Sequence, residues 1–433
     1  MTPTRRTRAT ALLALLLSSL LVFPAVAAPK RRAVAKPFID ASTPEGWLLL
    51  NARLLASAEQ VPFWWDLEPL RGMVGDATIV GLGDGTHGTH EFYTVKLRVV
   101  EYLVREMGFE AVAFEAPFPL FNRLNTYVLG GAGDPRALLS EVSARFNYFF
   151  WKTEEILALV EWMREYNAHR GDRPPVEIAG ADIYDQVTAW KDVVAYLRTV
   201  DPAAAAQAER EYACVGEQML GTQCSTETTR VINVLAPREA ELIGKSSARA
   251  FHDALQNARV VLQTQTLSHL ARDANMAVNM LWMRDHRGTS GRVIYWAHNE
   301  HVTKGPSELG INQTPAGEHL EQALGSRYFA IATMTAAGSY TQWEQKRPEE
   351  PYLPVVKTFA ALPEGAYETY FRLRRMPYLL IPLRGTLPDW LTGPARWNSA
   401  GVSSDPQKRP ASLPEKFDAA IFVDTTTPTR LLP

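Results

Sequence analysis

The stretch that most restricts the fold runs from residue 78 to residue 116 and reads as strand, polar loop, helix and strand. Residues 78–82 (TIVGL) and 110–114 (EAVAF) are short apolar runs typical of buried strands. Thr89 suits the cap before a helix, and Gly108 suits the position just after its end. A strand, an amphipathic helix and a second strand in this order predict a βαβ unit, and therefore a parallel sheet.

The same alternation continues along the chain and sets the fold class. A helix is predicted over 44–60, and helical periodicity without clear strands extends over 186–288. The predicted fold is α/β, with three α/β/α layers, a mostly parallel central sheet and an inserted helical lobe. Further strands are predicted at 176–180, from 291, at 327–335, at 378–383 and at 418–424.

The length indicates more than one structural segment, because 433 residues are too many for one small domain. The changes of pattern along the chain predict four segments. They are a signal peptide at 1–28, the first half of an α/β catalytic body at 37–185, a helical lobe at 186–288 and the second half of the body at 289–433.

The first 28 residues have the pattern of a secretory signal peptide. Three arginines precede an apolar run at 11–23, and Ala25-Val26-Ala27 then forms a small-x-small cleavage site. The apolar run is too short to span a bilayer comfortably. We therefore expect a cleaved chain that is periplasmic or secreted and has no stable membrane insertion.

Cys214 and Cys224 lie ten positions apart in the predicted helical lobe. An exported protein meets an oxidising compartment, which favours a local disulfide between them. The net charge of −2 provides no basic surface for nucleic acid. We expect a small-molecule partner, no nucleic acid, and a monomeric chain.

The loop at 83–88 (GDGTHG) matches the G-x-G-x-x-G pattern of dinucleotide-binding folds. Its side chains argue against a pyrophosphate, because Asp84 would repel the anion and His87 would occupy the space that its oxygens need. Glu115, the acid at the end of the next strand, also lies farther along the chain than the ~20 residues expected. We expect no dinucleotide and no other cofactor.

Ionisable side chains stand at the ends of three predicted strands. Asp84 and His87 follow the first, Glu115 the second, and His298 and His301 the strand that begins at 291. The carboxyl ends of parallel strands share one edge of a sheet, where α/β enzymes bind their ligands. A histidine beside a carboxylate works as a base near neutral pH, so His87 is the predicted base. Any one of these residues also has a structural interpretation, as a buried polar group that needs a partner.

His298 and His301 form an H-x-x-H pattern, which raises the possibility of a metal. A helical zinc site has the i, i+4 spacing of H-E-x-x-H, which this is not. In a loop, the two histidines with Glu115 or Asp84 would still complete a site, but the prediction is that no metal is required. The chain has no G-x-S-x-G motif, so water activated by a histidine is a simpler mechanism than a serine nucleophile.

Arg272 begins the last predicted helix of the inserted lobe. One interpretation is a packed helix with its arginine at the surface. The other is a guanidinium group directed into the cleft to hold an oxyanion or a carboxylate of the substrate. We predict a substrate-binding group of Arg272, His90 and Asp182, the last of which ends the third predicted strand.

Seven segments in chain order resemble the erythromycin esterase family. They are GLGDGTHGTHEF, AVAFEAPF, the 151–167 stretch with W-x-T-E-E and W-M-R-x-Y-N, IAGADIYD, RDANMAVNMLWM, VIYWAHNEHV and FDAAIFVDTTTPTR. The resemblance extends from about residue 45 to the C-terminus, and its THG and AHNxHV signatures are its most specific parts. The chain departs from the family at Asp84, where Glu is usual, and at His90, where Arg or Ser is frequent.

The resemblance implies a three-layer α/β fold and hydrolysis of a macrolide lactone. It implies His87 as the general base for water, with Glu115, His298 and His301 completing the catalytic set and Asp84 in support. We therefore predict an exported hydrolase of carboxylic esters or lactones. Two alternatives stay open, namely a non-catalytic periplasmic protein that binds a ligand or metal on the same scaffold, and an enzyme that acts on an envelope or polysaccharide substrate.

Overall fold

The structure is a computed structural model, in which residues Asp40–Pro433 form one compact unit. The predicted signal peptide lies outside the described residues. These are 39–146, 149–217, 221, 223–265, 269–288, 290–306, 314–345, 347, 350, 352–398 and 410–433.

The strands of the described residues join in one sheet. They are β1 (Arg53–Leu54), β2 (Ile79–Asp84), β3 (Ala111–Pro117), β4 (Glu177–Asp182), β5 (Val293–His298), β6 (Tyr328–Glu344), β7 (Leu353–Thr358), β8 (Tyr378–Pro382) and β9 (Ala419–Thr426). The strand order is β1-β8-β9-β6-β2-β5-β3-β4, and β7 pairs with β6 beside this path.

The helices surround this sheet. They are α1 (Pro44–Asn51), α2 (Pro69–Val74), α3 (His90–Met107), α4 (Phe118–Val128), α5 (Pro135–Phe146), α6 (Glu154–His169), α7 (Gln186–Val200), α8 (Pro202–Tyr212), α9 (Ser225–Leu235), α10 (Glu239–Lys245), α11 (Ala248–Gln265), α12 (His269–His286), α13 (Asn299–Val302), α14 (Ala316–Leu324), α15 (Tyr367–Phe371), α16 (Asp389–Thr392) and α17 (Leu413–Lys416). None of these helices is long and apolar enough to cross a membrane.

The centre of the sheet is parallel and its outer parts are antiparallel. Strands β9, β6, β2, β5, β3 and β4 all run in one direction. At one edge β8 and β1 pair antiparallel, and β7 folds back on the outer half of β6 as a hairpin. The mostly parallel α/β sheet that the sequence predicts is therefore confirmed.

Helices cover both faces of the sheet, because neighbouring residues of a strand point to opposite sides. On β5, Tyr295 packs into a core shared with α7, α11 and α12, whereas Trp296 packs into a core shared with α3 and α6. Both side chains are fully buried. This alternation produces the three α/β/α layers.

The predicted strands are all present, and the structure differs from the prediction at the end of one helix and in the region of β6 and β7. The helix predicted over 44–60 ends at Asn51, because Arg53 and Leu54 leave the helical path to pair with β8. Strand β6 continues to Glu344, past the predicted end at residue 335, and its hairpin partner β7 was not predicted. The β1–β8 pairing joins segments far apart in sequence, which local patterns do not reveal, whereas β7 pairs as a hairpin with the end of β6 that precedes it.

Only helices join β4 to β5 in the described residues from Gln186 to His286. Cys214 and Cys224 form the predicted disulfide between α8 and α9, with their Cα atoms 6.2 Å apart.

Gly108 ends α3 in the left-handed conformation, with φ of 69°, as the sequence indicates.

Candidate active site

Four neighbouring strands bring polar side chains to one edge of the sheet. Asp84, His298 and Asp182 are the last residues of β2, β5 and β4, and Glu115 lies near the end of β3. These strands are adjacent in the order β2-β5-β3-β4, and Asp84 is the register partner of His298. Parallel pairing thus gathers residues from four separate parts of the sequence.

His87, in the loop after β2, lies between two carboxylates. Its Nδ1 is 2.9 Å from Asp84 Oδ1, and its Nε2 is 3.5 Å from Glu115 Oε2. The imidazole also stacks on Phe150, with ring centroids 4.2 Å apart and an interplanar angle of 9°. Only 10% of the His87 side chain is exposed, so its orientation is restricted while part of it still reaches solvent.

Glu115 is the centre of this polar cluster. Its Oε1 accepts a hydrogen bond from Arg272 Nη2 at 3.0 Å and lies 3.1 Å from His301 Nε2. Its Oε2 accepts a hydrogen bond from the backbone N–H of His298 at 3.1 Å. Burial opposes ionisation, but His301 and His87 outweigh it and hold the pKa of Glu115 well below its usual range. Glu115 is therefore an anion that three histidines and an arginine surround.

Asp84 has a partner that the sequence analysis missed. Lys96 of α3 donates to Asp84 Oδ2 at 2.7 Å, and its ammonium group lies 4.3 Å from the centre of the Trp296 ring. Burial lowers the pKa of Lys96 to about 8, although the negative charge of Asp84 favours the protonated ammonium group. Asp84 is also fully buried, yet the Lys96 and His87 charges outweigh its burial and lower its pKa. The sequence pattern that could have identified Lys96 is its position one helical turn after Phe92, on the apolar face of α3.

The two histidines of the H-x-x-H pattern have different surroundings. His298 Nδ1 accepts the backbone N–H of Glu300 at 3.2 Å, so the neutral ring carries its proton on Nε2. His301 Nδ1 lies 2.6 Å from Asp273 Oδ1. Burial disfavours its charge, but Asp273 and Glu115 raise the pKa of His301 to about 10. Within the described ranges, no group of three or more His, Cys, Asp or Glu side chains is arranged to hold a metal ion.

Arg272, in the first turn of α12, reaches into the cluster. Its Nε donates to Asp182 Oδ2 at 3.0 Å, while Nη2 binds Glu115, and the guanidinium lies over the Tyr184 ring at 5.3 Å. Its side chain is 16% exposed, so it is not a surface arginine. The structure therefore places the Arg272 guanidinium among the carboxylates at the strand ends. Its donors bind the protein's own carboxylates and thereby fix Asp182 and Glu115.

His90 belongs to a different network from the His87 cluster. Its Nδ1 lies 2.5 Å from Glu155 Oε1, and its Nε2 lies 2.6 Å from Glu59 Oε1. Burial works against protonation of the ring, but the two carboxylates outweigh it and raise the pKa of His90. Both ring nitrogens of His90 therefore face carboxylates of the protein itself and not the His87 cluster.

Four partly exposed aromatic residues form an aromatic wall beside His87, namely Phe149, Phe150, Trp343 and Tyr352. The rings of Phe150 and Trp343 are 6.3 Å apart, and Phe149 lies 6.4 Å from Trp343 and 5.7 Å from Tyr352. Trp343 comes from the β6–β7 hairpin, which the sequence did not predict. The wall therefore combines two segments and presents an apolar surface next to the imidazole.

The glycines of the 83–88 loop are used for packing against the protein itself. A Cβ atom on Gly83 would collide with the Asn299 side chain, and one on Gly88 would collide with the backbone carbonyl of Thr341. The Gly88 carbonyl also accepts the Thr341 N–H at 2.8 Å. The close approach that a dinucleotide fold reserves for a pyrophosphate is here made by α13 and β6.

The chain resembles known proteins over most of its length. The profile of the family described as erythromycin esterase matches residues 104–426. Erythromycin esterase type II of Escherichia coli is 24% identical over 311 residues, which cover 63% of this chain and 72% of that protein.

Two solved structures share the fold. One is a protein of Bacillus cereus, with a TM-score of 0.78 and 26% identity over 92% of this chain and 100% of the other. The second is a mutant of the erythromycin esterase EreC in its open conformation, with a TM-score of 0.66 and 20% identity over 87% of this chain and 97% of the other. At that identity, the likeness to EreC concerns the fold.

Proposed function

The chain belongs to the erythromycin esterase family, which supports a hydrolase of the esterase type, and from that premise we propose an exported hydrolase of carboxylic esters and lactones. In this proposal water, activated by His87, attacks the carbonyl carbon. The observation that carries the proposal is the position of the His87 imidazole between the carboxylates of Asp84 and Glu115.

The carboxylates of Asp84 and Glu115 have different proposed roles beside His87. In this proposal ionised Asp84, whose Oδ1 lies 2.9 Å from His87 Nδ1, accepts the Nδ1–H and leaves Nε2 as the basic nitrogen. Glu115 Oε2 and this nitrogen are both acceptors and face the same space. A water molecule that donates one hydrogen towards each would lie with its oxygen lone pairs directed at a bound ester. Proton transfer to Nε2 then accompanies attack on the carbonyl.

The histidine at the end of β5 supplies the electrophilic part of the proposed mechanism. Because His298 Nδ1 accepts a backbone N–H, its Nε2–H is the group that can donate to the carbonyl oxygen of the substrate. The ring centroids of His87 and His298 are 5.2 Å apart, so the two rings are neighbours in edge contact, and in this proposal base and donor act on the same carbonyl group. Donation to the departing alkoxide is the second role assigned to His298.

His301 and Arg272 act mainly through Glu115 in this proposal. The charged His301 ring and the guanidinium group both bind Glu115 Oε1, so they keep the carboxylate ionised and fix its rotamer. Arg272 is also proposed to contribute positive charge to the developing oxyanion, and Asp182 holds its guanidinium in place. We also propose that the helical segment 186–288 is a lobe that borders the cleft, since its last helix carries Arg272.

The proposed substrate is a small ester or lactone, with a macrolide as the first candidate. Its support is the family membership together with the apolar surface of the aromatic wall. Export to the periplasm or medium is supported by the Cys214–Cys224 disulfide and the pattern of residues 1–28. We propose that the protein acts alone, as a monomer without a nucleic-acid partner.

The test is a panel of macrolides and simple carboxylic esters incubated with the protein and followed by mass spectrometry. Hydrolysis adds the mass of one water to a lactone. His87→Asn is expected to lower kcat/KM on an accepted substrate by roughly 10²- to 10⁴-fold, the range typical of a removed general base. His169→Asn is the matched control, because the His169 side chain is 70% exposed on α6. Activity of His87→Asn within tenfold of the parent protein would exclude His87 as the base.

A further inference from the structure

The chain beyond β9 forms a strap, residues Thr427–Leu432, that runs along the loop of His87. The N–H of Thr429 donates to the Gly88 carbonyl at 3.0 Å, and the N–H of His90 donates to the Thr427 carbonyl at 3.0 Å. Thr427 also donates through its own N–H and hydroxyl to the two carboxylate oxygens of Glu91, each at 2.7 Å. The strap therefore holds the segment immediately after His87 at Gly88, His90 and Glu91.

The other half of the strap holds the segment that follows the aromatic wall. The N–H of Glu154 donates to the Arg430 carbonyl at 2.8 Å, and the N–H of Leu432 donates to the Lys152 carbonyl at 3.1 Å. Lys152 follows Phe150 by two residues in the chain. The strap thus connects the segment that carries the base to the segment that carries the ring stacked on it.

One carboxylate oxygen of Glu155 links the strap to His90. Glu155 Oε1 accepts the N–H of Arg430 at 3.0 Å and lies 2.5 Å from His90 Nδ1. Glu155 is buried, and Glu59 binds the other nitrogen of His90 at 2.6 Å. The strap, the first residue of α3 and the first turn of α6 consequently meet at a single ionic contact.

We infer that His90, Glu155 and the strap form a clamp that sets the orientation of the His87 ring against Phe150. His90 is then a positioning residue, which acts on the base through Gly88 and Thr89, the two residues that separate them. The stacking distance of 4.2 Å and the near-parallel angle of 9° are the geometry that the clamp maintains. Its effect on turnover rests on the proposed function, whereas its effect on the ring stacking does not.

Stacking on Phe150 provides a direct spectroscopic measurement. A proton of an imidazole that lies over a phenyl face is shifted upfield by the ring current. The Hε1 resonance of His87, assigned by its absence in His87→Asn, reports that geometry in the full chain. In His90→Gln we expect this resonance to move downfield, and in His90→Arg, which keeps a cation between the two carboxylates, we expect it to return towards its original position.

Thr427→Val is a milder variant, since it removes only the hydroxyl that binds Glu91 and leaves the site residues intact. It is expected to move the His87 resonance in the same direction but by less. Thr425→Val is its control, because the Thr425 hydroxyl binds only the exposed Asp424 side chain in the contacts described. On a substrate that the protein hydrolyses, His90→Gln is expected to lower kcat by roughly 10- to 100-fold while KM changes less than twofold, as for a misplaced catalytic group.

A fall in melting temperature with unchanged His87 resonance and unchanged kcat would overturn the inference and leave the strap a purely structural element. If the parent protein hydrolyses no ester at all, the proposed function fails, but the resonance still decides whether the clamp exists. If His90→Gln does not fold, the Thr427→Val and His90→Arg spectra decide the same question.

Discussion

Asp84 and His298 are direct register partners at the ends of two adjacent parallel strands, β2 and β5. Their separation is therefore set by the backbone hydrogen bonds of the sheet and not by a loop. His87 follows Asp84 by three residues, and its ring lies 5.2 Å from that of His298. The sheet thus fixes His298 and the start of the short loop that carries the proposed base.

Removal of either member of the buried Asp84–Lys96 pair should destabilise the fold. Asp84→Asn leaves the Lys96 charge without its counter-ion, and Lys96→Met leaves the Asp84 carboxylate in the same situation. Each change should cost about 3–5 kcal/mol of unfolding free energy, measured by denaturant titration. The double variant should recover most of that stability but not the activity, because His87 then lacks the carboxylate charge that stabilises its protonated ring. Additive losses in the double variant would contradict the coupling.

Glu115 is expected to be more sensitive to loss of charge than to loss of length. Glu115→Gln should lower kcat/KM by roughly 10²- to 10⁴-fold. The neutral amide lacks the negative charge that orients the water, and it cannot bind both His301 and Arg272 as the carboxylate does. Glu115→Asp should retain more activity than Glu115→Gln. Glu106→Gln serves as the control, since this α3 residue is 41% exposed. Equal activities of the Gln and Asp variants would argue against the role of the charge.

The stability contributed by His301 should depend on pH in a defined direction. Its pKa is raised from 6.5 to about 10, so the folded protein binds a proton that the unfolded chain releases between these values. The contribution is complete below about pH 6.5 and is lost as the pH rises through about 10. The difference in unfolding free energy between the parent protein and His301→Gln should therefore shrink over this window. A difference that stays constant would contradict the assigned protonation.

The aromatic wall should matter for large substrates and not for small ones. Trp343→Ala should raise KM for a macrolide or another bulky ester by roughly tenfold, because a lost aromatic contact of this size is worth about 1–2 kcal/mol. Acetate esters should be hydrolysed at an unchanged rate. Trp65→Ala is the matched control, since Trp65 is 67% exposed and is not part of the wall. A loss that is equal for small and large esters would indicate disruption of the hairpin instead.

The disulfide should contribute to stability without taking part in the chemistry. Replacement of Cys214 and Cys224 by serine should lower the unfolding free energy by about 2–4 kcal/mol, because the unfolded chain regains the freedom of the closed loop. Denaturant titrations of the parent protein with and without reductant should show the same difference. kcat/KM at moderate temperature should be unchanged. A large change in kcat/KM would mean that the connection between α8 and α9 influences the site.

The central sheet and the strand-end residues could be predicted because both depend on local signals. An apolar run followed by an amphipathic helix identifies a parallel strand, and the shared edge of such strands brings Asp84, Glu115 and His298 together whatever their separation in sequence. The prediction of strand β6 stopped at residue 335, whereas the strand continues through Gly338, with φ of 115°, and pairs beyond it with β7.

The residues that the sequence left unassigned are those whose partners lie on other elements of the fold. The role of Lys96 depends on its contact with Asp84 across α3 and β2. Nothing near His90 in the sequence indicates Glu59 or Glu155, and its place in the predicted substrate group rested on the departure from the family at this position. Asp273 stood beside Arg272 in the sequence, but its pairing with His301 requires α12 to lie against α13. Partners of this kind are set by tertiary packing, which periodicity does not encode.

Both neighbours of β2 in the sheet, β5 and β6, lie in the last third of the chain. During synthesis the strand that leads into His87 must therefore wait, unpaired, until most of the protein has left the ribosome. An N-terminal fragment would contain Asp84, His87 and Glu115 without the backbone ladder that aligns them. Long-range pairing of this kind forms slowly. Such late closure would suit the proposed export, because the polypeptide would stay unfolded until it has crossed the membrane.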